Sequence, residues 1–313
     1  MRRAALLLLL AAFAAPPVAA NSLASIVVEK NGDVYFSDHV RDKIWRVSPS
    51  GELSVALARR HSSHLVLGAD GAIYGEHRPD RGGDAEIWRL DPGGGTDVVF
   101  RTARYGRSTS YRGTVFTIDS IGRLLYVRDC QIVRLAEHGG LEAIAGQPCH
   151  ETAWRDPAVA YGHLHGSFAW GPGPILYFSN GRTIRAVRAD GSVTTLSGRP
   201  ASLFGEPQVG EPLFASLAGL AVDGRGRIVA ADRERREIVR IGKDGRSAVL
   251  ARLGVFWSPI ALALAGDDVY LLVNLRFETP GFLSGVLGNP TLQRLSPDGH
   301  LVTISTVRMG RVR

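Results

Sequence analysis

The chain is poor in the signatures that usually disclose an activity. There is no G-x-S-x-G nucleophile turn and no phosphate-cradling Walker loop. "HETAW" at His150 lacks the second histidine of a zinc-protease helix, and "GRG" at Gly224 reads as a hairpin tip rather than a dinucleotide loop. No long segment carries a helical period, which argues against a parallel α/β sheet. No basic run is interleaved with aromatics, so nucleic acid is not an expected partner. No acceptor for N-linked sugar is present, because Pro290 interrupts "NPT" at Asn289.

Long apolar runs are also scarce. "AALLLLLAAFAA" follows Arg2 and Arg3 and leads into "PPVAA", the pattern of a cleavable secretory leader over residues 1–20, too short to cross a bilayer comfortably. "GVFWSPIALALAGDDVYLLV" is broken by Pro259, Gly266, Asp267 and Asp268, and reads as two buried strands around a turn. A secreted or periplasmic protein that does not span a membrane is therefore expected, with residues 21–313 as its mature part. Removing the two leader arginines leaves a formal charge of about +5, which favours anionic partners such as envelope polymers.

Cysteine is nearly absent. Cys130 and Cys149 are expected to join in an oxidising compartment, where a loop of that span contributes about 3 kcal/mol; two unpaired thiols are the alternative.

What is abundant is repetition. A strand, a glycine turn and a second strand recur as "SIVVEKNGDVYFSD", "HLVLGADGAIYGEH", "TVFTIDSIGRLLYVRD", "SFAWGPGPILYFSN", "GLAVDGRGRIVAAD" and "IALALAGDDVYLLVN". Third strands follow as "KIWRV", "EIWRL", "QIVRL", "TIRAV", "EIVRI" and "TLQRL", then a glycine turn and a fourth apolar run. The spacing averages about 50 residues, a propeller period. A lone four-stranded meander leaves both faces apolar, whereas six packed around an axis cover them. The expected fold is all-β, a six-bladed β-propeller of four-stranded antiparallel meanders, with blades near residues 23–59, 63–101, 113–146, 165–198, 217–252 and 258–307.

"AGLAVDGRGRIVAADRERREIVRI" resembles the NHL repeat, and "GSVTTLSGRPASLFGEPQVGEPLFASLAGLAVD" is similar to the linker between blades of bacterial NHL proteins. The gluconolactonase and regucalcin propellers are more distant relatives by the same resemblance. They hold a divalent cation through Glu, Asn and Asp, but His165 and Ala218 stand where the Asn and Asp would align, which argues against the same lactone hydrolysis.

In a propeller, the loops entering first strands and those leaving second strands share one mouth, the default binding site. Second strands end in Asp38, His77, Asp129, Asn180, Asp232 and Asn274. Short polar side chains there either cap the following turn or contact a ligand, and His77 and Asn274 fit the capping rule least. His61 and His64 precede blade two, and His163 and His165 precede blade four. The resemblance implies exported lyases that hold a metal with histidines from several blades, which makes His64 and His165 the candidate ligands.

Arginines gather at the same mouth: Arg59, Arg60, Arg101, Arg104, Arg107 and Arg112 enter first strands, while Arg78, Arg81, Arg233, Arg235 and Arg236 leave second strands. Arginine forks suit carboxylate and phosphate. An apolar loop carrying Phe277, Phe282 and Leu283 joins the second and third strands of blade six.

Two functions follow. The first is an exported, non-enzymatic module that binds an anionic ligand or protein partner, without a cofactor. Its contacts would be Asp38, His77, Asn180, Asp232, Asn274, Arg78, Arg233 and Arg236. The second is a propeller hydrolase or lyase built on His165, His163, His64 or His77, with a divalent metal as an option.

Overall fold

The computed structural model describes residues 25–77, 86–101, 116–128, 131–137, 139–146, 167–179, 183–197, 217–243, 246–275 and 289–307. Every regular element among them is a strand. Blade one contains β1 (Ile26–Val28), β2 (Val34–Asp38), β3 (Lys43–Val47) and β4 (Leu53–Ala58). Blade two contains β5 (Leu65–Leu67), β6 (Ile73–His77), β7 (Glu86–Leu90) and β8 (Thr96–Arg101). Blade three runs from β9 (Phe116–Ile118) through β10 (Leu124–Arg128) and β11 (Gln131–Leu135) to β12 (Leu141–Ala145). Blade four has β13 (Phe168–Trp170), β14 (Leu176–Ser179), β15 (Ile184–Val187) and β16 (Val193–Ser197). Blade five has β17 (Leu217–Val222), β18 (Ile228–Asp232), β19 (Glu237–Ile241) and β20 (Ser247–Arg252). Blade six has β21 (Trp257–Ala265), β22 (Asp268–Leu275), β23 (Thr291–Leu295) and β24 (Leu301–Thr306).

Each blade is a four-stranded antiparallel sheet in sequence order. The interrupted apolar segment of blade six forms β21 and β22 around Gly266 and Asp267, and no helix among the described residues is long and apolar enough to cross a membrane.

The hairpins explain the recurring glycine. Gly32 donates its amide to the Glu29 carbonyl at 3.0 Å while Glu29 donates to the Asp33 carbonyl at 2.8 Å. That turn requires a left-handed residue, and Gly32 sits at φ 90° without a side chain to oppose it.

Burial shows how the ring closes. Six apolar clusters lie at the six seams between neighbouring blades: Val27, Ile44, Leu65, Ile73 and Trp88 fill the seam of blades one and two, and Ile26, Val28 and Phe36 meet Ile260, Ala261 and Leu272 of blade six. The last blade therefore packs on the first as the others pack on each other, and a six-bladed β-propeller is the result. In blades one to three the third-strand arginine is held by an acid of its own blade: Arg46 reaches Asp33 at 2.6 Å, Arg89 reaches Asp70 at 3.0 Å, and Arg134 meets Glu142 at 2.5 Å.

Candidate functional site at the seam of blades one and two

The turn after a second strand and the loop entering the next blade do meet on one face. His39, just beyond β2, lies with its ring centroid 4.5 Å from that of His61, which precedes β5. In the same way Ser258, in β21, donates its hydroxyl to the Arg233 carbonyl beyond β18 at 3.2 Å.

Asp38 and Asp232 show what the strand-end carboxylate does. The amides of Val40 and Arg41 donate to Asp38 Oδ1 at 3.1 Å, and Arg41 Nη1 and Trp45 Nε1 donate to Oδ2 at 2.8 and 3.1 Å. With a side chain 2% exposed, Asp38 has no capacity left for a ligand. Asp232, fully buried, accepts the amides of Glu234 and Arg235 in the same manner. Turn capping is the chemistry of both, rather than the ligand contact considered for them from the sequence. The turn then carries a left-handed residue four positions on, Asp42 at φ 52° and Arg236 at φ 59°.

Blade two departs from this plan. His77 occupies the position of Asp38, and its Nδ1 is buried without a hydrogen-bond partner among the described residues. Its ring centroid is 5.2 Å from that of His61, edge to face. Asp42 Oδ1 lies 2.5 Å from His61 Nδ1, with the His61 and Asp42 side chains 24% and 45% exposed, so solvent reaches the pair. A nitrogen of each imidazole and a carboxylate oxygen of Asp42 all lie within 4.8 Å of one another.

Local backbone bonds hold the group. The Arg60 amide donates to the Asp42 carbonyl at 3.2 Å, tying the loop into blade two onto the turn of blade one. Ser62 is fully buried: its carbonyl sits 3.1 Å from His39 Nε2, and its hydroxyl accepts the Glu76 amide at 2.7 Å. The Arg60 Nη1 atom is buried without a hydrogen bond among the described residues, 4.0 Å from Glu86 Oε2; the other Glu86 oxygen is 3.1 Å from Arg101.

Burial pulls the His39 imidazole down to about 4, aided by repulsion from His61 and opposed by the Ser62 carbonyl, Asp38 and Asp42. Burial and His61 also lower His77, with Arg60 acting in the same direction and Asp42 and Glu86 against it. Above pH 6.5 the His39 ring is neutral in both folded and unfolded chains. Between pH 6.5 and 4 the unfolded chain takes up a proton that the folded one resists, so stability declines as pH falls, by at most on the order of 3 kcal/mol. Denaturant unfolding at pH 7 and pH 4.5 in chelator-containing buffer is expected to show that decline, and His39→Asn to lessen it. An equal decline in the variant would remove His39 as its source.

Of the other residues singled out from sequence, His64 is partly buried and lies outside the group formed by Asp42, His61 and His77. Asn274 is buried at the end of β22, its Oδ1 without a partner among the described residues. Arg233 and Arg236 are partly buried beyond β18. His163, His165, Arg78, Asp129, Asn180, Cys130, Cys149 and the apolar loop of blade six fall outside the described residues. His39 and Asp42 lie in the turn leaving β2 and Glu86 opens β7; in those segments the sequence marked arginines alone, because nothing in the repeat sets these three side chains apart.

No protein-family description and no curated protein matches the chain. Solved structures do. Virginiamycin B lyase from Staphylococcus aureus aligns over 92% of this chain and 84% of its own, at 15% identity and a TM-score of 0.52. A gluconolactonase from Xanthomonas campestris aligns over 79% and 81%, at 13% identity and 0.53. A luciferin-regenerating enzyme aligns over 87% and 90%, at 14% identity and 0.57. The likeness is one of fold. At such identities a shared ring of sheets says nothing of which side chains line the site.

Proposed function

We propose that this chain is an exported, NHL-like propeller that binds an anionic ligand at the seam of blades one and two. One observation carries the reading: Arg60 Nη1 and His77 Nδ1 are both buried without hydrogen-bond partners among the described residues, Arg60 meeting only Glu86 at 4.0 Å, and the arginine is near enough to act on the charge of the histidine. Buried polar atoms are nearly always satisfied, so two such donors beside solvent-reached Asp42 and His61 support a site that takes an acceptor. A carboxylate or phosphate oxygen supplies it for the guanidinium. Export rests on the leader-like start at Arg2 and Arg3.

Thermal unfolding and calorimetry with inorganic phosphate and citrate test the reading. Arg60→Met is expected to weaken anion binding by roughly 10- to 100-fold, the value of a charge-assisted hydrogen bond. Arg233→Gln with Arg236→Gln, on the far side of the ring, should leave it unchanged. Equal weakening by both changes would replace the seam with a diffuse arginine rim. No anion-dependent shift in the unaltered protein would end the proposal.

A second reading, a hydrolase or lyase, is favoured by the Asp42 to His61 contact of 2.5 Å, which is the geometry of a base held by a carboxylate. The fold neighbours bear the names of a virginiamycin B lyase and a gluconolactonase, so virginiamycin B and gluconolactone are the substrates to try. Turnover lost in His61→Gln would support this reading over binding alone.

A further inference from the structure

We propose that Asp42, His61 and His77 form a binding site for a divalent transition-metal ion of the zinc class, with an exchangeable coordination position. Three segments that are distant in sequence supply the ligands: the turn before β3, the loop before β5 and the end of β6. Their donor atoms already lie within 4.8 Å of one another. Donors around tetrahedral zinc lie roughly 2.0–2.2 Å from the ion, so convergence needs small side-chain rotations and no movement of strands. The hydrogen bond that His61 Nδ1 donates to Asp42 Oδ1 would open, its proton replaced by the shared cation.

The departure of blade two from its own repeat points the same way. Asp38 and Asp232 cap their turns with carboxylates that accept two amides each. His77 places an imidazole at that position instead, and its Nδ1 is buried with no hydrogen-bond partner among the described residues. An unmet imidazole nitrogen is a cost that a metal bond would offset.

The donor set selects the ion. Two imidazole nitrogens and one carboxylate suit zinc, cobalt, nickel or iron, and disfavour calcium and magnesium, which take oxygen ligands. His39 is not the fourth ligand: its ring lies beside that of His61, but it falls outside the group of converging donor atoms. Three protein ligands with partial exposure leave a position for water or an anionic oxygen. Among the described residues, this is the one such group of ligating side chains. It differs from the set expected from the sequence, in which His64 and His165 were the candidates.

The inference deepens the anion-binding reading but is measured without any anion. Full-length mature protein, stripped with chelator and exchanged into non-coordinating buffer, is titrated with zinc against a chromophoric competitor and with cobalt by its visible absorption. One zinc per chain is expected, unaffected by millimolar calcium or magnesium. Asp42→Asn, His61→Gln and His77→Asn are each expected to weaken zinc binding by roughly 100-fold or more. Asn holds the left-handed turn at position 42 and can cap the turn at 77, so both variants should melt like the unaltered chain in chelator. Zinc uptake below one per chain, or tight uptake that persists in both asparagine variants, would overturn the site. Zinc binding that fails while Arg60-dependent anion binding persists would leave the ligand proposal standing without its metal.

Discussion

Replacing Trp88 with alanine is expected to destabilise the protein by about 3–5 kcal/mol, the loss of a large side chain from a closed core. Trp88 is fully buried at the seam of blades one and two, among Val27, Ile44, Leu65 and Ile73. Its partner across the sheet is Gly75, where blade one pairs Trp45 with Phe36. The indole fills the space that a phenyl ring occupies one blade earlier. A methyl group added at Gly75 would stand 2.5 Å from Trp88 Cε2 and nearer still to Cζ2. Gly75→Ala should therefore cost about 1–3 kcal/mol through overpacking. The two changes should not add: once Trp88 is alanine, the methyl group at position 75 meets open space and its cost should fall close to zero. Urea unfolding of the four proteins gives the coupling directly. Additive effects would mean that glycine is not the complement of the indole.

The second large effect is at Asp38. Truncation to alanine strands the Arg41 guanidinium, the Trp45 indole and two amides, and about 3–5 kcal/mol is expected for breaking such a buried pair. Arg41 also reaches Asn289 of blade six at 2.6 Å, so the damage extends to the seam where the ring closes. Asp38→Asn should cost less, because the amide oxygen still caps the turn while the ion pair is lost. Affinity for anions, measured on the folded fraction, should be unchanged in Asp38→Asn. A stable Asp38→Ala protein that has lost ligand binding would return Asp38 to the list of ligand contacts.

The same comparison of blades shows why part of the site was readable. Six strand-end polar residues are visible as a column in the repeat, and His77 stands out from Asp38 and Asp232 before any coordinates are known. Its meaning comes from the difference: Trp45 donates to Asp38, whereas Nε1 of Trp88, the equivalent residue of blade two, has no partner among the described residues. Asp42 and His39 were hidden because their importance depends on a turn geometry that the repeat pattern does not display. In Arg236 the equivalent left-handed position carries an unrelated side chain.

Sequence alone determined the fold, because strand alternation, glycine turns and a period near 50 residues are local properties that each unit states six times over. It also marked His77 as a departure from its column. Only the tertiary structure decided which residues His77 meets. His61 precedes it by a hairpin, and Asp42 belongs to the blade before. Their approach is set by the packing of Ile44, Ile73 and Trp88 across a seam and by the Arg60 amide on the Asp42 carbonyl. A repeat fixes the shape of each sheet, but a site at the junction of two sheets depends on the distance and angle between them, which no single unit encodes.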